Sequence, residues 1–336
     1  MVRTLRLSPM KKRIWPKILG GFFILLILLI AGVILYFRFE LPSISLKNIT
    51  VQSTPDLIAR GEYLANHVMV CMDCHSRRAW DRFSGPVVPG TLGRGGEVFD
   101  QKLGFPGSFS SPNITPYALK DWTDAEIYRA ITSGVTKQGK ALFPIMPYTY
   151  YGTLDTGDIL SVIAYLRTLP SVESHPPASE PAFPMSIIVN TIPTIALPSV
   201  RPPKEDTLRY GKYLVAAASC VECHTLSKHG QIVKESAFSG GREFQMSDGS
   251  ILFSANITPD TETGIGRLSR EAFIFRFKIY DLTTYTPPTL QKGDMQTIMP
   301  WTMYAGMDTT DLAAIYKYIH SLAPVKNQVI RTKQPG

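Results

Sequence analysis

All four cysteines of the 336-residue chain fall in two copies of one pentapeptide, Cys71-Met72-Asp73-Cys74-His75 and Cys220-Val221-Glu222-Cys223-His224. This C-x-x-C-H spacing constrains the chain more than any other feature, because it is the spacing of c-type haem attachment. Two thiols at i and i+3 lie on one side of a helical turn, where they meet the two porphyrin vinyl groups as thioethers. The histidine after the second thiol then lies under the iron as proximal ligand. The competing uses of cysteine are disulfides, a redox dithiol and a zinc ribbon. A redox dithiol does not need the following histidine twice, and a four-cysteine zinc site would have to join pairs set 149 residues apart. The expectation is two covalently attached haem c groups, on Cys71, Cys74 and His75 and on Cys220, Cys223 and His224.

The chain also repeats itself once. Arg60-Gly61-Glu62-Tyr63-Leu64 matches Tyr210-Gly211-Lys212-Tyr213-Leu214, and Ser111-Pro112-Asn113-Ile114-Thr115-Pro116 matches Ser254-Ala255-Asn256-Ile257-Thr258-Pro259. Pro144-Ile145-Met146-Pro147-Tyr148 matches Thr297-Ile298-Met299-Pro300-Trp301. Each half closes with one amphipathic helix. Its stripe is Ile159, Val162, Ile163, Leu166 and Leu169 in the first half, and Leu312, Ile315, Tyr316, Ile319 and Leu322 in the second. Acidic cap patterns, Asp155-x-x-Asp158 and Asp308-x-x-Asp311, open these helices, and Pro170 and Pro324 follow them. Two mainly α domains are expected, over 55–170 and 206–325. The intervening 171–205 carries eight prolines between Pro176 and Pro203. Its Ser186–Ile192 run is too apolar for a swinging linker, so it is expected to pack on a domain.

The N-terminus fixes location. Ile18 to Phe37 is an uncharged apolar run of 20 residues, about 30 Å as a helix, the thickness of a bilayer's hydrocarbon core. It is longer than a signal-peptide core, and no small-x-small cleavage site follows before Arg38, so an uncleaved anchor is expected over 18–37. The basic tail 1–17 supplies +6 of the net +8, which places it in the cytoplasm. The segments after the anchor (a linker 38–54, both domains and a tail 326–336) then face the periplasm from a single-pass inner-membrane anchor. With only +2 left outside the tail and no basic stripe, no nucleic-acid partner is expected.

A haem that shuttles electrons needs a second axial ligand. Met146 lies 71 residues after His75 and Met299 lies 75 after His224, each in an Ile-Met-Pro-aromatic segment. Both are expected as distal iron ligands. Met69, Met72, Met185, Met246, Met295, Met303 and Met307 have no counterpart in the other half and read as core filler. His67, His175, His229 and His320 are likewise unpaired, with His67 one turn before Cys71 on the proximal side. The remaining Asp and Glu read as solvated faces, and neither a nucleotide loop nor a hydrolase motif is present.

With these motifs placed, the chain resembles the multihaem cytochrome c subunits of membrane-bound alcohol, aldehyde and gluconate dehydrogenases over roughly residues 55–325. The resemblance is most specific at Asn256-Ile257-Thr258-Pro259-Asp260 with Thr263-Gly264-Ile265-Gly266. It implies tandem class I cytochrome c folds, in which the helix before the haem motif crosses the closing helix, glycine against aromatic: Gly61 with Tyr165 and Gly211 with Tyr318. It also implies His75 and His224 as proximal and Met146 and Met299 as distal ligands. Those subunits commonly carry three haems and a C-terminal membrane attachment, whereas this chain has two motifs and an N-terminal anchor. The function expected is electron transfer between a dehydrogenase or quinol-oxidising complex and a downstream cytochrome or oxidase, with no catalytic activity of its own. The alternative is a dihaem peroxidase, which needs one open iron position.

Overall fold

The computed structural model describes residues 15–39, 41–228 and 230–334; the basic tail as far as Ile14, Glu40 and His229 lie outside the described residues. The chain is mainly helical. It begins with one long apolar helix, Trp15–Phe39, whose 25 residues span about 37 Å. This helix is long and apolar enough to cross a membrane, with a mean hydropathy of 3.1 over a stretch that is not buried against the rest of the protein.

Five helical pieces then recur in the same order in both halves. The first half has an entry helix Pro55–Tyr63, a one-turn helix Cys71–Cys74, a helix Asp124–Ser133, a one-turn helix Tyr148–Tyr151 and a closing helix Thr156–Thr168. The second has Thr207–Ala217, Cys220–Cys223, Arg270–Lys278, Trp301–Tyr304 and Thr309–His320. Local sequence explains most of their ends. Thr54 caps the first entry helix by accepting from Leu57 N, ahead of Pro55 at N1. Thr123 and Glu126 form a capping box, and Gly134 stops that helix at φ 71°. In the first half the entry helix runs on into a π-helical turn, Leu64–Val68, just before the cysteine motif. Among the described residues, three small antiparallel sheets fill the loops. Val98–Phe99 pairs with Gly107–Ser110 and that with Glu180–Pro181; Ser227–Lys228 pairs with Gln231–Ile232; Glu243–Gln245 pairs with Ile251–Phe253 and that with Thr332–Lys333.

Entry and closing helices pack together in each half, and the contact depends on glycine. A Cβ on Gly61 would lie 1.8 Å from the Ser161 carbonyl oxygen and 2.9 Å from Tyr165 Cβ. A Cβ on Gly211 would lie 2.0 Å from the Ala314 oxygen and 3.1 Å from Tyr318 Cβ. Glycine therefore meets the opposing backbone first and the aromatic second. The apolar stripes behind the crossing are buried: Ile159, Val162, Ile163, Leu166 and Leu169 on one closing helix, Leu312, Ile315 and Ile319 on the other. Each such side chain contributes roughly 1.5–3 kcal/mol on burial. Tyr316 is only half-buried, and its hydroxyl donates to the Leu268 carbonyl at 3.0 Å.

The proline-rich stretch between the halves is strapped to the first half. Asn113 Nδ2 donates to the Val172 carbonyl at 2.8 Å, Glu180–Pro181 adds a strand, and Ser199 N donates to the Thr153 carbonyl at 3.1 Å. Val189 and Ala196 are buried.

Two carboxylates expected as part of the acidic cap patterns turn inward instead. Asp158 and Asp311, at matching positions of the closing helices, are 1% and 0% exposed. Asp158 takes Arg60 Nε at 3.0 Å and Nη2 at 2.9 Å, an Arg201 nitrogen, and the Tyr213 hydroxyl at 2.7 Å. Asp311 takes the Tyr63 hydroxyl at 2.8 Å and the Tyr210 hydroxyl at 3.1 Å, with Lys204 Nζ at 3.3 Å. Tyr63 and Tyr213 each cross to the other half, and each also accepts the backbone N–H of Asp308 or Asp155 at 3.1 Å. The halves are thus joined by an exchanged pair of tyrosine–aspartate bonds, related by approximate twofold symmetry. Burial and the facing carboxylate raise the pKa of both tyrosines, which keeps the hydroxyls protonated as donors.

Candidate cofactor sites in the two halves

Both C-x-x-C-H motifs adopt one conformation. The residue before each first cysteine, Val70 at φ 45° and Ser219 at φ 50°, is left-handed, and a single helical turn follows. His75 N donates to the Cys71 carbonyl at 2.9 Å and His224 N to the Cys220 carbonyl at 3.0 Å. The turn sets the two thiols of each motif on one side. A non-glycine residue in the left-handed region costs about 1 kcal/mol or more, so two such residues at matching positions mark a conformation the fold enforces.

Each histidine is oriented by the equivalent carbonyl. His75 Nδ1 donates to the Pro112 oxygen at 2.8 Å and His224 Nδ1 to the Ala255 oxygen at 2.8 Å. These carbonyls immediately precede the repeated Asn-Ile-Thr segments, which are locked in turn. Asn113 Oδ1 accepts from Thr115 N and Oγ1 at 2.9 and 2.8 Å, and Asn256 Oδ1 from Thr258 N and Oγ1 at 2.9 and 2.7 Å. Their Nδ2 groups donate to the Val172 and Val325 carbonyls, both at 2.8 Å, just beyond the closing helices. Gly95 and Gly240 let the segment lie this close, since a Cβ on either would come within 2.5 Å of its backbone. With Nδ1 protonated, Nε2 keeps its lone pair for a metal. Desolvation outweighs the carbonyl contact and lowers both imidazole pKa values, favouring the neutral ring.

The surroundings of the thiols do not favour the thiolate. Burial pushes Cys71, Cys74 and Cys220 up to about 12 and raises Cys223 as well, the reverse of an activated thiolate. Among the described residues, no three His, Cys, Asp or Glu side chains converge as ligands of one metal ion.

Met146 and Met299 sit in one local geometry. Each carbonyl accepts the N–H two residues on, Tyr148 or Trp301, at 2.8 Å, and the one-turn helix that follows is tied back to the cysteine motif. Tyr151 hydroxyl donates to the Met69 carbonyl at 3.0 Å, and Tyr304 hydroxyl to the Ala218 carbonyl at 3.1 Å. Each acceptor lies two residues before the first cysteine of its motif. Met69, Met72, Met303 and Met307 are core filler, while Met295 is 54% exposed. The two tyrosines were overlooked in the sequence, although they occupy matching positions in the repeat.

The two sites are neighbours across the junction between the halves. Tyr150 hydroxyl donates to Glu222 Oε1, inside the second motif, at 2.7 Å, and the Asp73 carboxylate of the first motif contributes to the raised pKa of Cys223. Ser84 of the first half is 1% exposed and left-handed at φ 63°. Its hydroxyl donates to the Met299 carbonyl at 2.7 Å and accepts from Trp301 N at 3.1 Å. His67, assigned by spacing to the proximal side of the first motif, instead points across the junction, where Nδ1 donates to the Met303 carbonyl at 2.9 Å. A Cβ on Gly306 would overlap its ring.

Comparison with known proteins finds relatives among the cytochromes c. The cytochrome c subunit of a quinone-dependent alcohol dehydrogenase from Gluconacetobacter polyoxogenes is 27% identical over 298 residues, 81% of this chain and 58% of that subunit. The chain is similar to the cytochrome c subunits of dehydrogenases. The fructose dehydrogenase cytochrome subunit of Gluconobacter japonicus is 28% identical over 79% of this chain and 52% of that subunit. A dihaem c-type cytochrome of Cereibacter sphaeroides is 30% identical over 131 residues, 35% of this chain and 43% of that protein. The chain spans only 52–60% of the length of the alcohol, gluconate and fructose dehydrogenase cytochrome subunits it matches. No protein-family model matches it. The relatives are named as cytochromes c, proteins that carry covalent haem. The donor set here fits that group: paired thiols on one turn, an imidazole with Nε2 free, and a thioether on a tethered segment.

Proposed function

We propose that the chain is a membrane-anchored dihaem cytochrome c that carries electrons. The observation that supports this most is the paired orientation of His75 and His224, whose Nδ1 atoms are held by equivalent carbonyls so that Nε2 is left to ligate. Cys71, Cys74, His75 and Met146 would hold one haem, and Cys220, Cys223, His224 and Met299 the other. The iron, when bound, supplies one-electron exchange, and histidine–methionine ligation raises its potential relative to two histidines. The chain's own part is to hold the ligands and to keep both sites close across the junction. In this reading 55–170 and 206–325 are tandem class I cytochrome c domains. Residues 18–37 anchor them on the periplasmic face of the inner membrane, beside a dehydrogenase or quinol-oxidising donor and a downstream cytochrome or oxidase.

The test is the full chain matured in cells that attach haem c. Two covalent haems, both with the methionine-to-iron absorption band in the oxidised state, are expected. One band of two would leave an open iron and turn the assignment to a dihaem peroxidase.

Ser84 supplies a finer prediction. Removing its hydroxyl in Ser84→Ala should weaken methionine ligation at the second haem only. Exogenous imidazole would then compete there about fivefold more effectively, equivalent to one hydrogen bond of about 1 kcal/mol. Equal competition at both haems would show that Ser84 does not position Met299.

A further inference from the structure

Residues 181–200 contain no Asp, Glu, Lys or Arg, although the segment lies on the surface. Val200 is 85% exposed, Phe183 81%, Leu197 77% and Ile195 69%, among the most exposed large apolar side chains outside the N-terminal helix, and Ile188 is 44% exposed. This exposure does not come from looseness. Glu180–Pro181 is paired with Gly107–Ser108, Ala182 N donates to the Pro106 carbonyl at 3.0 Å, and Val189 and Ala196 are buried. The backbone is fixed, and the apolar side chains are presented outward from it.

The position of the segment says what covers it. The short helix Met185–Ile188 and the turn Val189–Thr191 pack against the long apolar helix. Within that helix Phe37 is half-buried, whereas residues 15–36 are exposed. The contact therefore lies at the end where the helix leaves the bilayer. Prolines at 181, 184, 193 and 198 prevent the segment from forming a second spanning helix. An uncharged apolar surface at that level enters the headgroup boundary without desolvating any charge.

We propose that 181–200 is a membrane-docking surface, with Phe183, Ile188, Ile195 and Leu197 set into the lipid interface. It gives the first half a second attachment beside the spanning helix. The first half, and the second half braced to it, are thereby held at a fixed orientation to the bilayer instead of hanging from a single tether. This rests on the reading of the N-terminal helix as a membrane anchor.

The test uses the full haem-loaded chain in phosphatidylcholine vesicles that carry a photoreactive acyl chain, followed by mapping of lipid adducts on its peptides. Adducts are expected in both 18–37 and 181–200. The yield in 181–200 should stand about tenfold above that of the C-terminal peptide containing Ile330, which is equally exposed at 77%. The double variant Phe183→Ser, Leu197→Ser should lose most of the adducts in 181–200 and keep those in 18–37. Adducts in 18–37 alone would overturn the docking surface and leave the anchor standing. Adducts in neither segment would overturn both.

Discussion

Gly61→Ala is expected to destabilise the first half by more than the ~1–3 kcal/mol usual for an overpacked core. The sign is informative, because glycine to alanine in an unobstructed helix stabilises by up to about 1 kcal/mol. Here the new methyl carbon would lie 1.8 Å from the Ser161 carbonyl oxygen, a backbone atom that cannot turn aside. The entry and closing helices would have to separate, and the contacts of Ile159, Val162 and Ile163, all fully buried, would open with them. Denaturant unfolding of the haem-loaded protein checks this, with Glu62→Ala in the same helix as the control expected within about 0.5 kcal/mol of the parent. A Gly61→Ala protein as stable as the parent would mean that the helices do not cross at this glycine. Gly211→Ala, whose methyl carbon would lie 2.0 Å from the Ala314 oxygen, should act the same way on the second half.

Much of this arrangement is legible in the sequence, because the chain states it twice. The C-x-x-C-H motifs, the Met-Pro-aromatic segments and the closing-helix stripes each occur once per half, and repetition separates a constrained methionine such as Met299 from filler such as Met303. What the sequence does not reveal is what each repeated group touches. Asn113 and Asn256 are visible as a pattern, yet their task, holding the carbonyl that orients a histidine, depends on partners 59 and 69 residues away. Asp158 and Asp311 were misread for a related reason. Two acidic residues at the start of a helix satisfy capping preferences, and nothing local distinguishes Asp155, which does cap by accepting from Gly157 N at 2.7 Å, from a neighbour turned inward. The distinguishing signal is available only across the repeat. Tyr63 with Tyr213 and Asp158 with Asp311 recur at matching positions, and a paired tyrosine and a paired carboxylate are what a twofold junction needs. His67 misleads in the opposite way. It is unpaired because it serves the junction, where its partner is the backbone of Met303 rather than another histidine.

Removing the carboxylate of Asp158 should be the most damaging single change at that junction. Asp158→Ala leaves Arg60, whose side chain is 20% exposed, without its counter-ion, and it strips the Tyr213 hydroxyl of its acceptor. Breaking a buried pair from one side costs about 3–5 kcal/mol, because the remaining charge is left uncompensated. Tyr213→Phe removes the charge-assisted bond to Asp158 and the acceptor of Asp155 N, and should cost about 2–4 kcal/mol. The two losses should not add, since both act on the same bond. The pH dependence gives an independent check. Burial alone would push the Asp158 carboxyl upward, but the Arg60 hydrogen bond and charge, the Tyr213 hydroxyl and Arg201 outweigh it and hold the group below its ordinary value. A carboxyl depressed in the folded state stabilises fully above its unfolded pKa of about 3.9 and loses that contribution as the pH falls below it. The parent protein should therefore lose stability on acidification through that range, while Asp158→Asn, already without the charge, should show a flatter acid limb. Because Tyr213 reaches Asp158 from the other half, the same variant should also alter electron exchange between the two proposed haems, measured as a slower approach to equilibrium after one is reduced by a light pulse. Unchanged exchange in a destabilised variant would separate the two roles, leaving Asp158 as a structural brace with no part in setting the distance between the sites.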